Sequence, residues 1–153
     1  MVTPLKDKTI RHLAEHLSDR LNTKAREFGV IAVKTIRDYN TMLGIDAPYS
    51  DAPLLKVYRN SDSYAPNFVT TTSATVAYGI INSEIPDRPG ISRWVSQEIV
   101  SGLQEFNLMC PTFQLSQGGI SADYQLIVGG ERISPQLVHQ VVVNFSFREG
   151  YGN

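Results

Sequence analysis

The segment from Phe68 to Phe106 constrains the fold most, because it predicts a strand, a turn and a helix in succession. Residues 68–82 are rich in Thr, Val, Tyr and Ile, whose branched or aromatic side chains suit a pleated strand. Residues 84–90 contain two prolines and a glycine, which a strand does not run through. The apolar residues that follow recur every three or four positions, so they predict a helix whose apolar stripe packs on the strand: Ile91, Val95, Ile99, Leu103 and Phe106.

A second helix and further strands are predicted around this unit. Thr3 and Pro4 suit the N-cap and first turn of a helix, and apolar residues then recur at helical spacing as far as Phe28. The segment from Leu137 to Arg148 alternates between apolar and polar residues, which predicts an antiparallel strand with one solvent-facing side. In all, we predict helices at 4–28 and from 91 onward, strands at 30–36, 54–59, 68–82, 123–128 and 137–148, and loops or irregular segments at 38–53, 60–67 and 107–123.

These elements predict one domain over residues 1–153, an α/β protein of the α+β type. Its sheet is expected to be mixed and mainly antiparallel, with the two main helices packed on it. The formal net charge of −1 argues against binding nucleic acid through the overall field of the protein. Residues 1–60 hold ten Lys or Arg against seven Asp or Glu, and residues 61–153 hold four against eight. Either these charges are scattered on a solvated surface, or they attract copies of the chain head to tail.

The cysteine content and the early charges indicate the compartment. Cys110 is the only cysteine, so no intrachain disulfide forms, and a reducing compartment is expected. Charged residues as early as Lys6 and Arg11 leave no room for the apolar region of a signal peptide. No run approaches eighteen apolar residues. The sequence therefore predicts a soluble protein that is made in the cytoplasm and does not enter a membrane.

Residues that could carry chemistry are few, and each has a simpler structural interpretation. His12 and His16 lie four apart on the first predicted helix, but without further ligands nearby they are better explained as a solvated flank than as a metal site. His139 falls on the apolar face of the last strand, which favours a structural histidine over a catalytic base. Cys110 lacks the basic neighbours that activate a thiol, so we expect it to be buried and inert. We therefore expect neither an enzyme nor a bound cofactor.

The order of these elements resembles the tail-terminator proteins of long-tailed bacteriophages. The resemblance covers most of the chain and is carried by residues 53–59 (PLLKVYR), by residues 74–106, and by the terminal strand into Phe147, Arg148 and Glu149. It implies a mixed α/β domain whose copies form a hexameric ring at the head-proximal end of the tail tube. That ring would end tube polymerisation and join the tail to the head.

The resemblance also implies the partners and the location. The chain would contact other copies of itself, the tail tube protein, a head connector or stopper protein and, in a contractile tail, the sheath protein. It would be assembled in the host cytoplasm and reside in the virion, with DNA passing through the ring but without sequence-specific recognition. Two alternatives remain open, namely another neck or minor tail protein and a small ligand-binding domain or enzyme.

Two pairs of residues are candidates for a partner interface. The polar connection after the strand at 54–59 is expected to project from one end of the sheet, where Asp62 supplies charge and Tyr64 a large amphipathic surface. Asp87 and Arg88 lie in the proline-rich turn before the helix at 91. The simpler explanation is that both pairs belong to solvated surface loops without a partner.

Overall fold

The computed structural model describes residues 8–25, 35–39, 54–64, 70–81, 90–116, 118–129 and 136–149. These residues form two helices and six strands. In chain order they are α1 (Lys8–Ala25), β1 (Thr35–Tyr39), β2 (Leu54–Tyr64), β3 (Thr70–Ile81), α2 (Ile91–Met109), β4 (Phe113–Leu115), β5 (Ser121–Gly129) and β6 (Gln136–Glu149). The predicted fold class is confirmed, because both helices pack on a mainly antiparallel sheet.

The sheet is centred on β3 and β6, which pair along nearly their whole length. β2 lies on the outer side of β3, and β1 is added to it in parallel. β4 and β5 both pair with the other side of β6, one after the other along the same edge. The pair β1 and β2 is the parallel one, and the other described pairs are antiparallel, so the sheet is mixed as expected.

Both helices cover the same face of this sheet. α1 lies against β1 and β2, while α2 lies against β6 and β4, and the two helices contact each other. Alternation along β6 places its apolar side chains on the helix-covered face, as the sequence predicted for Val141, Val143, Phe145 and Phe147. The helices contribute fully or nearly fully buried residues at the predicted spacing, namely Ile10, Leu13, Leu17 and Leu21 from α1 and Val95, Ile99, Leu103 and Phe106 from α2. Each such side chain contributes roughly 1.5 to 3 kcal/mol when it leaves water, so this single core holds the layers together.

The two helices meet closely at Gly102 of α2. A Cβ atom at this position would lie 2.6 Å from Cδ2 of Leu17 and 3.2 Å from Cδ of Arg20. Beside this contact, the Arg20 guanidinium donates to two carboxylates of α2, with Nε 3.0 Å from Glu98 Oε2 and Nη1 2.9 Å from Glu105 Oε2. The absence of a side chain at Gly102 therefore sets the distance at which these ion pairs form.

Several element boundaries differ from the prediction. The predicted loops at 38–53 and 60–67 are wrong at Asp38–Tyr39 and at 60–64, because these residues are strand residues of β1 and β2. The predicted irregular segment at 107–123 is also wrong in part: α2 continues to Met109, β4 lies within the segment and β5 begins at Ser121. In each strand the neighbouring strand supplies backbone partners, and such pairing overrides weak local propensity. The predicted segments at 4–7, 26–34, 40–53, 65–69 and 82–89 lie outside the described residues.

Candidate functional site

The end of β2 carries Asp62 and Tyr64, two of the four predicted interface residues. The ladder shifts register between Arg59 and Ser61, and strand pairing with β3 then continues as far as Tyr64 opposite Thr70. The polar residues at 61–64 therefore extend the sheet instead of leaving it as a loop. Tyr64 is 73% exposed. The other two predicted interface residues, Asp87 and Arg88, lie outside the described residues.

Asp62 has partners within its own chain. Its Oδ1 accepts a hydrogen bond from Thr72 Oγ1 at 2.6 Å and lies 3.4 Å from Arg59 Nη1. The same arginine donates from Nη2 to Glu149 Oε2 at 3.0 Å and lies over the Phe147 ring, 5.4 Å from its centroid. The carboxylate of Asp62 thus helps to hold the ends of β2, β3 and β6 together. The expected loop is therefore a strand, and both Asp62 and Tyr64 are exposed on it, so their place in a partner interface stays a prediction.

An exposed apolar group that the sequence analysis missed lies where α2 ends beside β4. We call it the α2-end patch and define it as Leu108, Met109, Leu115 and Ile120. Leu108 is 85% and Met109 is 64% exposed. Leu115 and Ile120 are partly buried, and together with Leu108 they line a cleft of about 420 Å³ whose polar walls are Gln104 and Asn107. The sequence contains a sign of this exposure. Leu108 lies outside the apolar stripe that ends at Phe106 and falls within the segment predicted to be irregular.

The α2-end patch is held in place by one side-chain cap. Asn107 Oδ1 accepts a hydrogen bond from the Leu115 backbone N–H at 2.7 Å. The next amide along, at Ser116, donates instead to Ser146 of β6 at 2.9 Å. Because successive amides of a strand point to opposite sides, the Leu115 N–H belongs to the outer edge of β4. Asn107 therefore satisfies this edge donor and fixes β4 against α2.

The helix-free face of the sheet carries a hydrogen-bonded polar row. Asn60 Nδ2 donates to Thr75 Oγ1 at 2.7 Å, and Thr75 Oγ1 donates to Asn144 Oδ1 at 2.7 Å. Tyr58, paired with Thr75 across the strands, is buried, and burial raises the pKa of its phenol above the usual 10.0, while a hydrogen bond to Thr75 opposes that rise. The row has the character of a structural network that ties β2, β3 and β6 together.

The histidines and the cysteine behave differently from one another. His12 is exposed, as a solvated flank requires, but that prediction is wrong for His16. The His16 Nε2 atom is buried 3.0 Å from Glu105 Oε1 without the alignment of a hydrogen bond, and its ring lies 5.8 Å from that of Phe106. Cys110 is partly buried, with Sγ 3.4 Å from Thr112 Oγ1. The His139 side chain lies outside what the structure describes.

Among the described residues, no three His, Cys, Asp or Glu side chains lie close enough to hold a metal ion. Neither described helix is long and apolar enough to cross a membrane. No protein-family model matches the sequence, and a search of curated proteins finds no match. In the part of the chain that the structure describes, the exposed large apolar or aromatic side chains are Tyr64, Leu108, Met109 and Tyr124, and the Tyr124 hydroxyl is hydrogen-bonded to Ser96.

Proposed function

We propose that this protein is a tail terminator of a long-tailed bacteriophage. In this role its copies form a ring of six at the head-proximal end of the tail tube, stop tube polymerisation and present a surface to the head connector or stopper. The observation that carries the proposal is the order of elements along the chain, in which a first helix, paired strands, a second helix and a closing strand build one α+β domain. This is the order on which the resemblance to tail terminators rests.

The exposed surfaces support an assembling protein. Large apolar side chains that stay in water cost free energy, and in soluble proteins an exposed cluster of them marks contact sites for other macromolecules. Tyr64 is such a side chain, and so are Leu108 and Met109, which are neighbours in the sequence. Tyr64 lies at one border of the sheet, and Leu108 and Met109 lie at the opposite border of the same end. A subunit of a closed ring needs two different contact surfaces of this kind, one for each neighbour.

The proposal assigns the protein a structural role in the virion. Its partners are further copies of itself, the tail tube protein, the head connector or stopper and, where the tail contracts, the sheath. The ring encloses a channel for DNA without reading its sequence, and it performs no catalysis and requires no cofactor. Its function is then the control of tube length and the joining of tail to head.

The test is to remove the gene and examine the phage tails by electron microscopy. Lysates lacking the protein should contain tails of uncontrolled length that do not attach to heads. Supplying the parent protein in trans should restore both properties, whereas Val143→Asp, which introduces a charge into the core, should not. Tails of normal length that join heads in the absence of the protein would contradict the proposed function.

A further inference from the structure

We propose that neighbouring copies of this chain meet border to border, with Tyr64 of one copy seated in the cleft of the α2-end patch of the next. The inference rests on the proposed function in that it names the contact by which the ring closes. It commits to a second copy of this chain as the occupant of the cleft. Four observations carry it: the position of the two surfaces, the direction of the strands, the face on which the side chains lie and their chemistry.

The two surfaces lie at opposite borders of one end of the sheet. Pairing between β1 and β2 stops at Tyr39 opposite Tyr58, so the stretch of β2 from Arg59 to Tyr64 pairs with β3 alone among the described strands. At the other border, β4 pairs with β6 and with no further described strand. This end of the sheet therefore has the order β2, β3, β6, β4, with Tyr64 at one border and the α2-end patch at the other.

The strand directions suit a head-to-tail contact. β2 is antiparallel to β3, β3 to β6, and β6 to β4, so β2 and β4 of one copy run in opposite directions. Where the strands run along the ring axis, rotation about that axis keeps their direction and keeps each sheet face on the same side of the ring, so the β2 border of one copy then approaches the β4 border of the next in an antiparallel sense. Because Asn107 already accepts the outer-edge N–H of Leu115, side chains carry this contact rather than a new backbone ladder.

The side chains concerned lie on the same face. Tyr64 is paired with Thr70, which is paired with Glu149. Leu115 is paired with Phe147, two residues before Glu149, and alternate residues of a strand share a face. Phe147 is fully buried under the helices, so Tyr64 and Leu115 both lie on the helix-covered side, one pair of residues apart along the sheet. A neighbour placed beside β4 brings its Tyr64 to the side on which the cleft lies.

The two surfaces match each other chemically, but neither of them matches a second copy of itself. A tyrosine joins a broad apolar ring to one polar hydroxyl, and the cleft joins apolar walls, including Leu108 and Ile120, to the amide of Gln104. Tyrosine is among the residues that dominate interface energetics when it is seated in a pocket. The aromatic ring of Tyr64 and the cleft come from opposite borders, so each copy offers one of each. This arrangement favours a series of identical contacts from copy to copy over a two-fold dimer.

Disulfide trapping tests this contact directly. In a Cys110→Ser background, Tyr64→Cys and Leu108→Cys are made separately, mixed and oxidised, both in solution and on isolated tails. The mixture should give a covalent dimer, each single variant alone should not, and the protein carrying both changes should give a ladder that ends at the closed ring. Thr23→Cys serves as the matched control, because Thr23 is exposed and lies at the C-terminal end of α1. It should not cross-link to either cysteine variant.

The affinity should follow the same contact. Tyr64→Ala should raise the concentration at which half of the protein is assembled by about tenfold or more. At many interfaces, replacing a tyrosine that fills a pocket by alanine costs more than about 1.4 kcal/mol of binding free energy, which corresponds to about tenfold in affinity. Tyr64→Phe, which keeps the ring, should change that concentration much less.

The outcomes separate this inference from the proposed function. Rings in solution or on tails without the 64–108 cross-link would overturn the contact and leave the function standing. Cross-linking of a single-cysteine variant with itself, at the level of the mixture, would overturn the head-to-tail arrangement. The cross-link together with normal tails in lysates lacking the gene would support the contact and contradict the function.

Discussion

The α1–α2 contact and the residues Leu108 and Met109 of the α2-end patch lie on the same helix but differ in solvent exposure. Around Gly102 the surface of α2 is covered by Leu17 and bordered by the ion pairs of Arg20. Two turns later Leu108 and Met109 project into water beside an open cleft. The first region is explained by the folding of one chain. The second costs free energy in a single folded chain, because its large apolar side chains stay in water. For this reason we propose that it contacts another chain.

If the protein assembles as proposed, this difference separates the side chains that stabilise one chain from the side chains that bind its neighbours. Side chains in the helix-covered face contribute to stability as soon as the chain folds, so mutations there act on every property of the protein. The exposed side chains of Tyr64, Leu108 and Met109 contribute little to the stability of one folded chain. Mutations there should act on assembly and leave stability nearly unchanged. Measuring the free energy of unfolding of variants in both regions therefore tests whether the two regions differ as described.

The largest expected effect is that of a charge in the helix-covered face. Val143 is fully buried between its neighbours Val76 and Ala122, so Val143→Asp would leave a carboxylate without a partner and should cost about 3 to 5 kcal/mol. Chemical denaturation measures this loss. Thr71→Asp, exposed on the opposite face of β3, is the control and should change stability by less than about 1 kcal/mol. Equal stability of Val143→Asp and parent would show that the faces of the sheet are assigned wrongly.

A smaller effect is expected at the helix contact. Gly102→Ala gains about 1 kcal/mol of helix propensity but crowds Leu17, and overpacking of a tight core site costs about 1 to 3 kcal/mol. We expect a net loss of about 1 kcal/mol. Ser101→Ala, one residue earlier on the same helix, should gain a few tenths of a kcal/mol because alanine is the better helix former. A stabilised Gly102→Ala protein would contradict the close approach of the two helices.

The helix-free face should contribute a pH dependence. The pKa of Tyr58 is raised in the folded protein, mainly by burial, so between its unfolded value of 10.0 and its folded value the native state holds a proton that the unfolded state has lost. The free energy of unfolding contributed by this group is complete below pH 10 and is lost as the pH rises above it. Tyr58→Phe should therefore show a shallower loss of stability in alkaline solution than the parent, measured by denaturation at a series of pH values. An unchanged slope would place the tyrosine in water.

The smallest expected effect on stability is that of Leu108→Ser. Since Leu108 is 85% exposed, its replacement should alter the free energy of unfolding by no more than about 0.5 kcal/mol. Thermal and chemical denaturation at a concentration where the protein is monomeric would measure it. A loss of 2 kcal/mol or more would mean that Leu108 belongs to the core, and the contrast between the two regions of α2 would fail.

The regular part of the fold was predictable from the sequence. Helical spacing identified the buried stripe of α2 from Val95 to Phe106, and strict alternation identified the buried face of β6. These signals are local, because each element repeats its own pattern over three or more turns or pairs of residues. They also sufficed for the fold class.

The ends of the elements and the contact surfaces were not predictable in the same way. The extension of β2 to Tyr64 depends on pairing with β3, and β4 exists because β6 supplies its partner, so neither is encoded in a short polar segment by itself. The network around Asp62 joins residues from Thr9 to Glu149, which only the folded chain brings together. The cleft beside Leu108 likewise depends on where β4 meets α2.

The mass of the assembled protein tests most directly whether copies of this chain form a ring. Multi-angle light scattering over a concentration series, combined with electron microscopy of isolated tails, compares the parent with Tyr64→Ala and Leu108→Ser. If the copies assemble as proposed, the parent should approach six times the 17.0 kDa of one chain and appear as a ring on tails, while both variants should fold normally but assemble only at higher concentration. A parent protein of 17.0 kDa at every concentration, with no ring on the tails, would contradict this assembly.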